Sequence, residues 1–412
     1  MGSNPSPRRP AAERRHIVIA FGAITFMGIG AGATGVLLPP QGRDYHVDKG
    51  MLSLIFVSFA VGYVLCATAN GVLIHRLGVR THLVVGAATG MAALAGMAFR
   101  PSFWGLLVLQ VALGYGMGAL DAGLNAYLST LSGSTAVLNY FHAFFGVGAL
   151  IGPVAAAAIL DAGLSWTVVY ALQAVLAVPL LIALTTYPAA VRGDQPTERP
   201  RVSGALRHRA VWIGAAFLGV YVGIETAIGN WGFSFLTEDR GQGVLAAGWV
   251  ISGYWAGLTL GRFVLNATAE RLGISVVGLT SACIGGILVS SALVWASTAP
   301  AVTTIGLVAV GFFLGPLFPT MIATVPRLVP AGLVATAIGI LVATSIAGSA
   351  VFPVAVGYSA QQSGAWVLLP ITIGLSGLLA LNWWRIAVRL RARPEPVQPA
   401  EPLPAAPVPL QP

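Results

Sequence analysis

Inside long apolar sequence, an acid, an amide and an imidazole fall at helical spacing. Gly114, Gly118, Asp121 and Asn125 stand in GYGMGALDAGLNAYLS. Their offsets of 0, 4, 7 and 11 return to nearly one face of a helix that turns about 100° per residue. In the next apolar segment His142, Gly146, Ala149 and Pro153 repeat the same four offsets. Two neighbouring helices thus each carry one ionisable group on a stripe of small residues. A carboxylate surrounded by hydrocarbon is costly to keep charged, so an acid at membrane depth is a functional-site hypothesis by default. No Lys or Arg lies in the central part of any apolar run, so the chemistry expected of Asp121 is loading and releasing a proton. A structural ion pair with a neighbouring helix is the competing reading.

A second acid, Glu225, lies in YVGIETAIGNWGFSFLTE, with Asn230 and Trp231 one to two turns beyond it. Trp231 has two readings. It belongs to an interfacial aromatic belt, or the glycines at 223, 229 and 232 loosen this helix so that Asn230 and Trp231 face a cavity. His142, near the inner end of its span, also has two: a packed or gating imidazole, or a group touching substrate or proton. Gln110 and Tyr254 complete the expected cavity lining, with Tyr115 and Trp255 beside them. The glycine stripes need no ligand, since small residues four apart let membrane helices approach closely.

What positions these groups is a set of membrane spans. The 412 residues are 56% hydrophobic and only 8% charged, whereas a soluble domain is about a quarter charged. Apolar runs recur from Ile17 almost to Arg385, each near the ~20 residues that cross a bilayer as a helix. They predict an all-α polytopic membrane protein with twelve spans: 17–38, 51–74, 82–99, 103–128, 138–160, 165–187, 210–236, 244–266, 274–296, 301–325, 332–358 and 365–390. The run from Ile17 to Leu38 is too long for a signal peptide's apolar core and is read as an uncleaved first span. Flanking and dividing the spans are a polar segment at 1–16, a connection at 188–209 and a proline-rich tail at 391–412, which is expected to be disordered.

The charge of +9 would suggest nucleic acid in a soluble protein, but here the arginines gather at span ends. Placing both termini in the cytoplasm puts every Lys and Arg on that side except Arg43, Lys49, Arg100 and Arg240, as the positive-inside rule requires. The expected location is the cell's inner (plasma) membrane. Cys66 and Cys283 both fall in spans, so neither a disulfide framework nor a metal site is expected. No phosphate-binding loop of the GxxxxGK[ST] kind is present. No nucleophile, base and metal cluster either, so neither a cofactor nor an enzymatic activity is expected.

The two sets of six spans repeat. HRLG at His75–Gly78 returns as ERLG at Glu270–Gly273, and Gly28, Gly118 and Pro153 match Gly223, Gly315 and Pro353, a shift of about 195 residues. By the same shift Gly35 has Asn230 as its counterpart, and Gly30 has Glu225. Bundles at 17–187 and 210–390 of equal topology are parallel repeats, with a substrate site between them.

These features resemble the major facilitator superfamily over residues 16–390. Gly71, Arg76, Gly78 and Arg80 in GVLIHRLGVR match its loop signature, with His75 where an aspartate is usual, and Gly261, Arg262, Glu270, Arg271 and Gly273 match it in the second half. The resemblance implies that this loop helps gate the cytoplasmic side. Span four is similar to that of the fucose/proton symporter group, whose acid, small residues and asparagine appear as Asp121 to Asn125. The likeness implies that Asp121 links proton and sugar, while Gly35 stands where that group has a second acid, ahead of an LLP stretch. Drug/proton antiporters are also similar in Gly148, Gly152 and Pro153, but Gln110 replaces their span-four arginine.

The expectation is a monomeric secondary transporter working by alternating access, carrying a sugar-like solute between its halves with protons on Asp121 and Glu225. Its partners are the solute, protons and the lipid bilayer. Proton-driven efflux of a larger amphipathic compound, or a sensor that binds without flux, are the alternatives.

Overall fold

The computed structural model describes residues 10–189 and 202–391. The segment 1–9, most of the 188–209 connection and the tail from 392 lie outside the described residues. Twelve membrane helices are present among the described residues: α1 (Ala11–Tyr45), α2 (54–77), α3 (79–98), α4 (Phe103–Ser129), α5 (Ser134–Asp161), α6 (Trp166–Leu184), α7 (Arg209–Ser234), α8 (Val244–Arg271), α9 (Val276–Ala296), α10 (Pro300–Leu328, interrupted before Leu317), α11 (Val334–Ser363) and α12 (Leu368–Arg391).

Several helices start where a hydroxyl or carboxylate satisfies a free amide. Ser102 accepts from the Gly105 amide at 3.2 Å, Ser275 from Gly278 at 3.1 Å, and Asp48 caps the short helix Lys49–Leu52 through the Met51 amide at 2.7 Å. Two expected boundaries move. The helix α1 runs on through Pro39 and Pro40 to Tyr45 and ends at His46 in the left-handed region. The expected loop between spans two and three shrinks to one residue: Leu54–Ala98 is a single helical rod broken at Gly78, whose φ is 76°. A Cβ at Gly78 would also stand 2.0 Å from the Ala189 carbonyl oxygen. The HRLG signature is therefore a one-glycine hinge that only a residue without a side chain can make.

Each half is assembled in the same way. The helices α1 and α5 pack together, as do α7 and α11. The Leu54–Ala98 rod packs on α4 and α6, while in the second half α8 packs on α10 and α9 on α12. Without a hydrophobic force between helices in lipid, close approach at glycine supplies the packing. At Gly62, Gly114 and Gly348 an added Cβ would lie within about 2 Å of a carbonyl oxygen on the facing helix.

Between the halves, α5 packs on α8, α1 on α7, and the start of the α2 rod on α11. The links gather toward the face opposite the arginine-rich helix ends. Lys49 Nζ meets Glu238 at 2.7 Å, and its amide donates to Gln361 Oε1 at 3.0 Å. The counterparts Gly35 and Asn230 touch, a Cβ on Gly35 being 2.6 Å from the Asn230 carbonyl oxygen. Residues related by a pseudo-twofold axis meet where the axis passes between their helices. Nearer the middle, the Val154 amide donates to Ser252 Oγ at 3.1 Å. Beyond Gly146, whose Cβ would meet Thr259 Oγ1 at 2.3 Å, α5 carries Tyr140 and His142 exposed. On the far face the halves meet around a hollow of about 260 Å³ lined by Lys49, Trp231 and Glu238 among others, while toward the arginine-rich face α5 is left open beyond Gly146.

Replacing Gly78 by Ala forces a side chain into a left-handed backbone and against Ala189. It is expected to cost about 1–3 kcal/mol and to lower the melting temperature of the purified protein by several degrees. Melting at the wild-type temperature would contradict the hinge.

Candidate functional site between the halves

The stripe on α4 divides its labour. Gly114 and Gly118 take the backbone of α2: a Cβ at Gly114 would strike the Phe59 carbonyl at 2.0 Å, and one at Gly118 would lie 3.0 Å from the Tyr63 carbonyl. That approach delivers the Tyr63 hydroxyl to Asp121, where it donates to Oδ2. One turn on, Asn125 Nδ2 donates to Asp121 Oδ1 at 2.8 Å and to its main-chain oxygen at 2.9 Å. Both carboxyl oxygens thus have a donor, which keeps the group at membrane depth while leaving it partly accessible. His142 on α5 is exposed and lies in the fields of two charged groups, Asp121 from its own half and Arg262 from α8 of the other half.

On the opposite side of this space, Glu225 on α7 has Arg262 and Tyr221 as its electrostatic neighbours, and the Tyr254 hydroxyl donates to its main-chain oxygen at 3.0 Å. The three side chains do not close into an ion pair or a complete network. The Tyr221 hydroxyl, Arg262 Nε and Trp255 Nε1 are all buried with no hydrogen-bond partner. Unsatisfied buried donors each cost about 1–3 kcal/mol, and Tyr221 lies close enough to both Glu225 and Arg262 to pair with either on a small shift.

The structure brings Asp121, Asn125, His142 and Glu225 to the space between the halves. It moves other expected residues elsewhere. Gln110 is buried in the first half, its Nε2 3.9 Å from Met97 Sδ and beside Tyr170, so it packs and does not line. Tyr254 is fully buried and supports the backbone of α7. Trp231 is buried too, donating from Nε1 to the Pro353 carbonyl at 2.8 Å and meeting Phe56 of the other half edge-on. It belongs to the far-face contacts between the halves, as does the backbone of Asn230. Arg262, expected in the gating loop, instead sits deep enough for its charge to act on Glu225 and His142, because α8 continues to Arg271. Gly71, Arg76, Arg80 and Arg271 are exposed toward the arginine-rich face.

Sequence reasoning missed Tyr63 and Tyr221. The available signal for Tyr63 was its neighbour Gly62, whose contact with the Val111 carbonyl turns this part of α2 toward α4. Tyr221 stands one turn before Glu225 on the same face, a spacing that could have been read.

The profile of the Major Facilitator Superfamily matches residues 20–241 and 215–412. Among curated relatives, the Saccharomyces cerevisiae protein "Bypass of stop codon protein 6" is 22% identical, over 86% of this chain and 79% of its own length. A Brucella abortus glucose/galactose transporter is 26% identical over 69% and 74%, and the Bacillus subtilis glucose/mannose transporter GlcP 23% identical over 90% and 94%. Among solved structures, a bacterial homolog of the human lysosomal transporter Spinster, inward-facing and occupied, superposes with a TM-score of 0.75 at 13% identity, covering 95% of this chain and 100% of that one. The nucleoside transporter NupG superposes at 0.73 with 14% identity, covering 92% and 99%. At such identities the superpositions speak for the fold alone.

If Arg262 and Glu225 share one field, their effects on stability are not additive. Arg262→Gln and Glu225→Gln, alone and together, are expected to give a coupling energy of about 0.5–3 kcal/mol in thermal or chemical unfolding. Additive losses would place the two groups in separate environments.

Proposed function

The chain belongs to the Major Facilitator Superfamily, a secondary-active transporter of a small solute, and from that premise we propose that it carries a sugar-like molecule together with protons by alternating access. The bundles at 17–187 and 210–390 rock about the solute, and a single copy suffices. Of the two expected proton-coupling groups, Asp121 carries the proton and Glu225 serves the solute side. The protein works in the cell's inner (plasma) membrane with both termini cytoplasmic, so that the open face described above is the cytoplasmic one.

The observation that carries this reading is the pairing of two unlike sites across one space. Asp121, held by a hydroxyl and an amide and reached by no Lys or Arg at hydrogen-bonding distance among the described residues, is free to exchange a proton with water entering from the open side. Facing it are the unsatisfied donors of Tyr221, Arg262 and Trp255 around Glu225. A polyhydroxylated solute supplies several acceptor oxygens for those donors and hydroxyls for the carboxylate. The names of the glucose/galactose and glucose/mannose relatives agree with that chemistry, as does the likeness of span four to the fucose/proton symporters. His142, between Asp121 and Arg262, is positioned to pass the state of one half to the other.

In proteoliposomes with an imposed proton gradient, wild-type protein is expected to concentrate a radiolabelled hexose. Asp121→Asn, which keeps the shape and some of the hydrogen bonds but cannot exchange a proton at physiological pH, is expected to abolish accumulation while retaining counterflow. An Asn variant that still concentrates the hexose at the wild-type rate would make Asp121 structural.

A further inference from the structure

On the far face, local structure in both halves converges on one pair of charges. Asp48 commits its carboxylate to the Met51 amide at 2.7 Å, which starts the short helix Lys49–Leu52 and leaves the neighbouring Lys49 to find another partner. That partner is Glu238 of the other half, 2.7 Å from Nζ. Glu238 lies in a five-residue π turn, Phe235–Asp239, that continues α7. Such turns interrupt the regular helical ladder and are frequent at functional sites. Here the turn sets Glu238 on the wall of the hollow that Lys49, Ser234 and Gln361 also line.

Around this pair the halves touch at the closest range. A Cβ on Gly357 of α11 would lie 2.0 Å from Ser53 Oγ and 3.0 Å from the Lys49 carbonyl oxygen, and Gln361 Oε1 accepts from the Lys49 amide at 3.0 Å. The backbone of the Lys49 turn is thus held against α11 while its side chain joins the end of α7. Separating the halves on this face must part Lys49 from Glu238. Packing at Gly35 and Gly357 is lost within the first ångström or so of separation, whereas opposite charges still attract across several ångströms of water. The ion pair is therefore the contact that acts on halves already parting.

Its strength suits that task. The two side chains are 25% and 38% exposed, and an ion pair so hydrated changes an equilibrium by up to about fivefold. A molecule that alternates between two forms needs them close in free energy, so a bias of this size tips the balance without trapping either form. We propose that Lys49 and Glu238 form the electrostatic latch of the far face, positioning residues whose pairing sets how often this side opens. The proposal rests on alternating access between the halves, as read above, and on neither the identity of the solute nor its coupling to protons.

The test reads opening without reading transport. Ser234, buried on the wall of the same hollow, is replaced by Cys in full-length protein lacking Cys66 and Cys283, and the rate of its reaction with a small uncharged water-soluble maleimide is followed in nanodiscs. Ser291→Cys, fully buried on α9 within the second half, reports unfolding in the same background. Lys49→Gln and Glu238→Gln are each expected to raise the rate at position 234 by up to about fivefold, and the double variant by no more than either alone, because the second change removes a partner already lost. Added salt, by screening the pair, is expected to raise the rate with Lys49 and Glu238 intact and to leave each single variant unmoved. The rate at position 291 stays constant throughout. The salt arm needs no substitution at the pair, so it decides the case even where a variant does not fold. A rate at 234 that exceeds the rate at 291 but ignores both charges and salt overturns the latch and leaves alternating access standing. Single effects that multiply in the double variant overturn it as well, since the two charges would then act independently, and so does an equal rise at 291, which would make the pair a support of the fold. Reaction at 234 no faster than at 291 in any variant means that this face opens only on unfolding, and it sinks the latch together with the alternating-access reading.

Discussion

The cost of holding charge in hydrocarbon governs this molecule. An acid at membrane depth must be hydrogen-bonded, faced by a cation or hydrated, and each half meets that demand in its own way. Asp121 receives a hydroxyl and an amide from its own bundle. Glu225 is set near a guanidinium with donors left over. Asp121 would lose the Tyr63 hydroxyl if α2 and α4 were farther apart, so the glycines on these helices are conditions of its site as much as of the packing. The contacts between the halves on the far face and the exposure of His142 on the other leave one side from which water approaches these groups.

Much of the fold was legible in the residues. Apolar runs of membrane length located all twelve helices, since nothing else in the chain competes with a bilayer-length helix for that composition. The repeat was legible at single positions: Gly35 and Asn230, matched only by their shift along the chain, turn out to be in contact. Asp121 and Asn125 were also readable as a unit, because a spacing of four on one helix fixes their proximity without any tertiary information.

Rotation and depth were not legible. These helices are apolar nearly all round, so no polar face reveals which side of α4, α7 or α8 turns inward. Gln110 and Tyr254 were therefore expected in the cavity and lie in bundle interiors. Trp231 carried a signal, the glycines around it, but those glycines let Trp255 and Ile251 of α8 approach α7 instead of loosening it. Arg262 was misplaced in depth for a simple reason. The span was expected to end at 266, whereas α8 extends to Arg271, which sets Arg262 more than two turns inside the helix end and brings its charge to bear on the acid on α7. Tyr63 depends on contact between two helices far apart in sequence, and only the close approach at Gly62 and Gly118 makes it a partner of Asp121.

The central claim is that Asp121 exchanges a proton in the space between the halves. Infrared difference spectroscopy across a step from acid to alkaline pH reads carboxyl protonation directly, by the loss of a protonated C=O stretch. The account predicts such a band in wild-type protein and its disappearance from the difference spectrum of Asp121→Asn. An identical titrating band in both proteins, or no titrating carboxyl band in either, would contradict it.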